Sequence, residues 1–223
     1  MSGWDLMMMT NDDPYILLAN LGISFNRDID IALSPEECFI ALIEQHNILE
    51  DRRLLSLTIL AFENIQNYLR PDLFKRLASD MTAKGCSVLG GIIFRDHLIT
   101  PGRWSGLQNV LKKYRVRDLL VGNEKIIKEK GADNFFESFG IRMTQVNKSS
   151  SKKLLDREWY LSHNPWLKNR VFFGPSTRAD VYTVKTNFLE STAYRFMERF
   201  NYRPSSVYGI WNEMTLAQTL GAY

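Results

Sequence analysis

Hydrophobic residues recur at helical spacing through most of the first 150 positions. The clearest run lies between residues 51 and 69, where apolar side chains return every three or four positions. Ser34-Pro35-Glu36-Glu37 has the form of a capping box, with proline at the first helical position, and predicts a helix ending near His46. Pro71 is typical of a first helical turn and predicts the next helix. These patterns indicate a mostly α fold.

Further along, the pattern is shorter and more polar. Residues 85–94 are apolar, and periodicity alone leaves a buried helix and a strand open, although the neighbouring helices favour a helix. Residues 104–114 and 123–130 predict two more helices, the second stopped by Gly131. The first 147 residues are therefore expected to form a helical bundle domain.

A polar, basic stretch at residues 148–153 separates this bundle from the rest of the chain. Its sequence, Lys-Ser-Ser-Ser-Lys-Lys, has no apolar anchor and is typical of a linker or an exposed loop. We expect residues 148–165 to be this basic linker or loop and residues 166–223 to form a small second domain.

Three short helical patterns follow in the second domain. They cover residues 176–185, residues 191 or 192 to 200, and a stretch beginning at Pro204, with a tight break at Asn201-Tyr202-Arg203. Two helices joined by a turn of three or four residues form the helix-turn-helix arrangement. In that arrangement the last helix lies in the major groove of DNA, with its N-terminal residues toward the base edges.

The candidate DNA contacts follow from this placement. Hydroxyl, amide and phenol groups on the exposed side of the last helix can bond bases or phosphates, and arginines supply affinity for the backbone that is independent of sequence. The candidate nucleic-acid-binding residues are Arg178, Arg195, Arg199, Arg203, Ser205, Ser206, Tyr208 and Asn212.

The second domain resembles a bacterial helix-turn-helix group. The resemblance is carried by Arg170-Val171-Phe172-Phe173-Gly174-Pro175-Ser176-Thr177-Arg178-Ala179-Asp180-Val181, by Thr192-Ala193-Tyr194 and by Ser205-Ser206-Val207-Tyr208. This group includes transcriptional regulators and is similar to antitoxins of the abortive-infection kind (type IV toxin-antitoxin systems). The resemblance implies duplex DNA and a toxin as partners.

Two departures from the pattern of this group bear on the fold. Arg203 stands where a serine or threonine cap is usual, and only seven residues follow Leu216, too few for the two strands of a full wing. We therefore expect a winged-helix-like module whose wing is reduced or absent. A three-helix packing module that makes no DNA contact is the alternative.

Charge supports an acidic partner once it is divided along the chain. The net charge is +3. Residues 1–150 carry 18 Lys/Arg and 19 Asp/Glu, whereas residues 151–223 carry 10 and 6. A second local excess lies at residues 103–130, with eight basic residues against three acidic ones. Such asymmetry most often indicates nucleic acid.

Composition excludes several classes of protein. A chain that is 45% hydrophobic and 24% charged is typical of a folded protein, and it has no apolar run of about 18 residues that predicts a membrane span. Residues 1–10 lack the pattern of a signal peptide. Two cysteines and three histidines are too few for a metal cluster or a disulfide framework. We expect a cytoplasmic protein that is not an enzyme and uses no cofactor.

Some residues invite other interpretations. Asp28 and Asp30 resemble the metal-binding carboxylates of nucleotidyltransferases, although a surface turn is the plainer interpretation. His97 and His163 have no ligands at metal-binding spacing, and Cys38 is expected to be a buried thiol. Trp104, Trp159, Trp166 and Trp211 are expected to be packing residues.

The leading hypothesis is a DNA-binding regulator whose helical bundle serves for homodimerisation or partner binding. The second hypothesis is a helical interaction module that binds and silences a partner protein. A nucleotidyltransferase-like enzyme that uses Asp28 and Asp30 is the third.

Overall fold

Local capping by polar side chains starts most of the helices. The computed structural model describes residues 13–25, 27–95, 101–147 and 151–220. Ser34 accepts a bond from the backbone of Glu37 while Glu37 reaches back to the backbone of Ser34, as the capping-box sequence predicts. Asp51 caps the next helix in the same way, since its carboxylate accepts from two backbone N–H groups.

The chain divides into two units between Asp156 and Arg157. The helices of the first unit are α1 (Pro14–Asn20), α2 (Pro35–Gln45), α3 (Arg52–Ile65), α4 (Pro71–Leu77), α5 (Ala83–Ile93), α6 (Pro101–Tyr114), α7 (Glu124–Lys130) and α8 (Asn134–Ser138). The helices of the second unit are α9 (Arg157–His163), α10 (Pro165–Phe173), α11 (Thr177–Thr186), α12 (Ala193–Phe200) and α13 (Pro204–Thr219). The mostly α class is thereby confirmed.

The last part of the first unit contains a short pair of parallel strands. Strand β1 (Leu119–Leu120) pairs with strand β2 (Ile141–Arg142). Two residues are too few to show the alternation that marks a strand, so the hydrophobic pattern does not predict this pair. Residues 85–94, left open between helix and strand, lie mainly in α5.

Four aromatic rings form the centre of the first unit. Phe39 of α2, Phe62 of α3, Phe74 of α4 and Trp104 of α6 are all buried, with neighbouring ring centroids 5.5–6.2 Å apart. Trp104 is thus a packing residue, as expected. Rings at these distances add attraction beyond the apolar area they bury.

Helix α5 presents two glycines where aromatic rings lie against its backbone. A β-carbon at Gly90 would lie 2.2 Å from the ring of Phe139, and one at Gly91 would lie 2.3 Å from the ring of Phe136. Gly90 and Gly91 therefore allow α8 and its C-terminal end to approach α5 closely, which gives these glycines a packing role.

A buried carboxylate ties the C-terminal part of this unit to α5. Asp133 caps α8 through its Oδ1, while its Oδ2 lies 2.7 Å from Nη1 of Arg95 and accepts from the backbone N–H of Val146. Arg52 of α3 donates to the carbonyl and hydroxyl oxygens of Thr144. These bonds hold residues 144–146 against the helices.

The region expected to be a linker is more ordered than its composition predicts. Residues 151–153 form a short 3₁₀ turn, and residues 157–163 form α9 in the second unit. Helix α9 buries only Tyr160, and its three apolar residues are consecutive, so they show no helical period. Helix α10 was not among the predicted helices either. In the described residues, no helix combines the length and hydropathy that crossing a membrane requires.

The end of α11 holds a bulky residue in an unfavourable backbone conformation. Phe188 has φ of 56°, and the N–H of Leu189 bonds the carbonyl of Val184, which completes a Schellman motif. Glycine or asparagine usually occupies this position, because a β-carbon is strained there. The side chain of Phe188 is also 90% exposed, so burial of its ring does not offset the backbone strain.

Replacing Phe188 by glycine is therefore expected to stabilise the protein. Phe188→Gly should raise the free energy of unfolding by about 1 kcal/mol, since relief of the strain outweighs the greater freedom of glycine in the unfolded chain. Urea unfolding measures this change. Phe188→Ala is the matched control, because it removes the ring and keeps the strain, and it should give no comparable gain. A loss of stability in Phe188→Gly would contradict the interpretation.

Candidate nucleic-acid interface

The candidate site is built on α12, a tight turn and α13. Thr192 caps α12 by accepting a bond from the backbone N–H of Arg195. Asn201 then ends the helix in the left-handed conformation, with φ of 49°, and the N–H of Tyr202 bonds the carbonyl of Met197. This is again a Schellman motif, here with a residue type that tolerates the conformation. Pro204 begins α13 directly afterwards.

An aromatic cluster holds the turn against both helices. The ring of Tyr202 stacks on Phe196 at a centroid distance of 5.3 Å and an interplanar angle of 8°. Phe196 also contacts Trp211 of α13 at 6.2 Å, and Phe200 contacts Trp166 of α10 at 5.9 Å. Trp166 and Trp211 are therefore packing residues, as expected, and the turn is fixed from several sides.

A buried ion pair lies beneath this layer. Nε of Arg170 in α10 is 2.8 Å from Oδ1 of Asp180 in α11, and both side chains are almost completely buried. Beside it, Asn169 donates to the hydroxyl of Thr183 at 2.8 Å. The motif residues Arg170 and Asp180 thus join two helices inside the unit and are not available to DNA.

Two of the four candidate arginines form ion pairs within the second unit. Nη2 of Arg178 lies 2.6 Å from Oε2 of Glu213 on α13. Arg199 pairs with Glu190 at 3.4 Å and lies over the ring of Phe200. Both pairings tie α11, α12, α13 and their connecting loops together. A phosphate would have to compete with a carboxylate for either guanidinium, although Arg178 is half exposed.

The other candidates lie on the surface. Arg195 and Arg203 are exposed, and within the described residues neither has a carboxylate at ion-pairing distance. The polar candidates on α13 are also exposed, namely Ser205, Ser206, Tyr208 and Asn212. Ser205 and Ser206 lie in the first turn of the helix, Tyr208 follows in the next turn, and Asn212 lies at the middle of the helix.

The N-terminus of α13 has no side-chain cap. Arg203 occupies the cap position without bonding the backbone, whereas α10, α11 and α12 are capped by Asn164, Ser176 and Thr192. Uncapped N–H groups at a helix start attract anions because they are unsatisfied donors at the positive end of the helix dipole. The first turn of α13 therefore favours a negative group.

Lys185 reaches α13 from the other side. Its ammonium lies 4.9 Å from the ring centroid of Trp211 and donates to the hydroxyl of Thr215. Burial lowers the pKa of Lys185. This lysine therefore stabilises the packing of α11 on α13 and is not part of the exposed candidate surface.

Other chemically suggestive residues form no catalytic constellation among the described positions. Asp28 and Asp30 lie in an irregular loop between α1 and α2, where Asp30 bonds the backbone of Ala32, and the strand that a nucleotidyltransferase site needs is not formed there. No group of metal-ligating side chains is assembled in the parts of the chain that are described. His97 falls outside those parts.

His163 and the two thiols have local roles. His163 stacks on Trp159 at a centroid distance of 4.9 Å and contacts the hydroxyl of Ser162. Cys38 and Cys86 are free and buried, as expected for Cys38. Burial raises the pKa of the Cys86 thiol to about 11 and that of Cys38 further, so both are poorly reactive.

Sequence reasoning missed the partners that divide the arginines. Glu213 is 35 positions from Arg178, and Glu190 is nine positions from Arg199. The only local signal was the acidic character of Glu213 on a helix otherwise suited to DNA. It also missed the exposed leucines of α13, Leu216 and Leu220, which are 61% and 73% exposed.

The buried and exposed ion pairs of this unit should differ sharply in their effect on stability. Asp180→Ala leaves the Arg170 charge buried without its partner and should cost about 3–5 kcal/mol. Glu213→Ala breaks the exposed pair with Arg178 and should cost less than about 1 kcal/mol. Urea unfolding, followed by tryptophan fluorescence and circular dichroism, measures both changes. Equal effects of the two variants would contradict the structural role of Asp180.

Comparison with known proteins gives this chain no relatives. No family model, no curated protein and no solved structure matches it. Its function is therefore argued from the geometry and charge of its own residues.

Proposed function

We propose that the second unit binds double-stranded DNA through α12 and α13 in a helix-turn-helix arrangement, and that the protein is a transcriptional regulator. The resemblance to antitoxins of the abortive-infection kind adds a toxin as a candidate protein partner. In this proposal α13 lies in the major groove and α12 lies over the backbone.

The observation that carries the proposal is that two exposed arginines lack a carboxylate partner among the described residues. Arg170, Arg178 and Arg199 are paired with carboxylates of the same unit, whereas Arg195 and Arg203 are exposed and have no carboxylate at ion-pairing distance. Uncompensated guanidinium groups can displace the counterions of DNA, which is the main source of its sequence-independent affinity. The unpaired positive charge of the unit is therefore presented in the first turn of α12, by Arg195, and directly before α13, by Arg203.

The polar residues of α13 supply a second kind of contact. Ser205 and Ser206 lie in the first turn, which has no side-chain cap; the N–H of Ser206 bonds the carbonyl of Arg203, and the two hydroxyl groups can donate to a phosphate oxygen. Asn212 can form paired bonds with an adenine edge, and Tyr208 can donate to a phosphate. In this assignment arginines set the affinity, and Asn212 reads the sequence.

Arg178 and Arg199 have a supporting role in this proposal. Arg178 fixes α13 relative to α11 through Glu213, and Arg199 fixes the loop before α12 through Glu190. The contact set is thereby reduced to Arg195, Arg203, Ser205, Ser206, Tyr208 and Asn212.

Neutralising the two exposed arginines should weaken DNA binding. In Arg195→Gln with Arg203→Gln, the slope of log affinity against log salt should fall by about two, because two phosphate contacts are lost. Gel-shift titrations against duplex DNA from the promoter of the protein's own gene, at several salt concentrations, measure this slope.

Arg157→Gln with Lys168→Gln is the matched control. Both residues are exposed in the same unit, on α9 and α10, and their loss changes the net charge equally. The control should leave the slope nearly unchanged. The proposal fails if the wild-type protein does not shift the duplex at low salt, or if the two double variants behave alike.

A second candidate function is the binding and silencing of a partner protein. It is favoured by Leu216 in the last part of α13 and by Leu220, the residue that follows the helix, which are four positions apart and largely exposed. Apolar side chains grouped on one helix face are typical of protein interfaces. Leu216 lies one helical turn after Asn212 on the same face of α13, and Leu220 directly follows the helix.

This second function predicts a different pattern of mutational effects. Leu216→Ser with Leu220→Ser should weaken binding to the purified product of the adjacent gene at least about ten-fold, because burial of a leucine contributes more than 1.4 kcal/mol. Isothermal titration calorimetry measures the affinity. Arg195→Gln with Arg203→Gln should bind that partner normally. Unchanged affinity in the leucine variant would remove this candidate.

A further inference from the structure

The most basic segment of the chain lies in the first unit, outside the proposed helix-turn-helix region. Residues 112–130 contain seven Lys/Arg and three Asp/Glu, a balance of +4. The second unit, counted over residues 157–220, has eight and five, a balance of +3. The rest of the first unit, residues 13–111 and 131–156, has 13 and 15. A locally basic surface is therefore embedded in an otherwise slightly acidic unit.

This segment runs from the end of α6 through β1 to the end of α7. All seven of its cationic side chains are exposed: Lys112, Lys113, Arg115, Arg117, Lys125, Lys128 and Lys130. Arg115 also donates to the backbone carbonyl of Ser138, which anchors the stretch between α6 and β1 to the end of α8. We call this set of seven side chains the α6–α7 basic surface.

Arg142 links the residue before β1 to the first turn of α7 through two ion pairs. Its guanidinium lies 2.8 Å from Asp118, just before β1, and 3.6 Å from Glu124, in the first turn of α7. Glu124 is also 3.3 Å from Lys128. Arg117 and Lys125 are chain neighbours of these two carboxylates, so they lie near the same point.

Arg142 forms ion pairs with Asp118 and Glu124, which are two of the three acidic side chains in residues 112–130. The hydrogen bonds to Asp118 raise the pKa of Arg142, which keeps that extra charge in place. Within the described residues, six cations of the surface have no carboxylate at ion-pairing distance, namely Lys112, Lys113, Arg115, Arg117, Lys125 and Lys130. Close, uncompensated cations repel one another, and a polyanion relieves that repulsion.

We propose that the α6–α7 basic surface is a second nucleic-acid site, which binds the phosphate backbone of double-stranded DNA without reading sequence. Lysine predominates in it, and lysine contacts phosphate as a point charge. Tyr114, at the end of α6, is 48% exposed among these cations and can donate to a phosphate oxygen.

A membrane surface fits these observations less well. An interfacial helix needs a continuous apolar face opposite its basic one. On α7, Ile126 is exposed, but Ile127 is buried in the unit and the other side chains are polar. Charge without an apolar face favours a nucleic-acid backbone.

The site is independent of the proposed α12–α13 contact, since the two lie in different units and share no residue. It predicts that the full-length chain binds duplex DNA of any sequence and that this binding depends steeply on salt. Each lysine that contacts a phosphate contributes about 0.9 to the slope of log affinity against log salt.

The test compares two double variants of the full-length protein. Lys112→Gln with Lys125→Gln removes one cation from each helix of the surface. Lys75→Gln with Lys84→Gln removes two exposed lysines elsewhere in the same unit and changes the net charge equally. Fluorescence anisotropy with a labelled duplex of random sequence, from 50 mM to 300 mM salt, measures the affinity and its slope.

The α6–α7 variant should lose about two from the slope and at least about ten-fold in affinity near 0.1 M salt, while the control stays close to the wild type. Equal losses in the two variants, or no binding of duplex DNA by the wild type, would overturn the proposal. Binding of a single-stranded RNA in preference to the duplex would also overturn it.

The same measurement separates this proposal from the α12–α13 contact. If Arg195→Gln with Arg203→Gln leaves the random duplex bound while the α6–α7 variant releases it, the basic surface stands and the α12–α13 contact fails. The reverse result overturns the surface and leaves the α12–α13 contact intact.

Discussion

The buried ion pair between Arg170 and Asp180 is the constraint on which the second unit depends. Two charges removed from water are tolerated only when each compensates the other at hydrogen-bonding distance, and here Nε and Oδ1 are 2.8 Å apart. The requirement fixes α10 against α11, and α11 in turn packs against α13. The aromatic cluster of Phe196, Phe200, Tyr202 and Trp166 then sets the turn between α12 and α13. The positions of α12 and α13 are thus determined by interactions in the interior of the unit.

Ion pairing also divides the arginines of this unit into two groups, those paired with a carboxylate and those without such a partner among the described residues. An arginine held by a carboxylate has already lost part of its hydration and gained a partner, so a phosphate would have to displace that carboxylate. Arg178 and Arg199 are in this state, whereas Arg195 and Arg203 retain their full charge toward solvent. The same principle applies in the first unit, where Arg142 engages Asp118 and Glu124, and six cations of the α6–α7 basic surface have no carboxylate partner among the described residues. The net charge of a segment, counted from the sequence, does not show which charges are paired, because it counts paired and unpaired groups alike.

Much of the secondary structure could be predicted from the sequence. The capping residues Ser34, Asp51, Asn123, Ser176 and Thr192 all begin helices, and the tight break at Asn201 lies where it was expected. The failures have physical causes. Helix α9 buries a single residue and shows almost no apolar stripe, and two-residue strands are too short to show a period. The end of α11 is predicted within one residue, although Phe188 occupies the left-handed position that favours glycine.

The sequence by itself determined the helical class, the helix starts and the place of the turn before α13, because capping, proline placement and hydrophobic period act within a few residues along the chain. Only the tertiary structure decided which of the candidate residues remain available. The partners of Arg178 and Arg142 are as many as 35 and 24 positions distant in sequence, and an ion pair forms only where folding brings its two charges within a few ångströms. The identity of an arginine is local information, but its freedom to bind a phosphate depends on the whole unit.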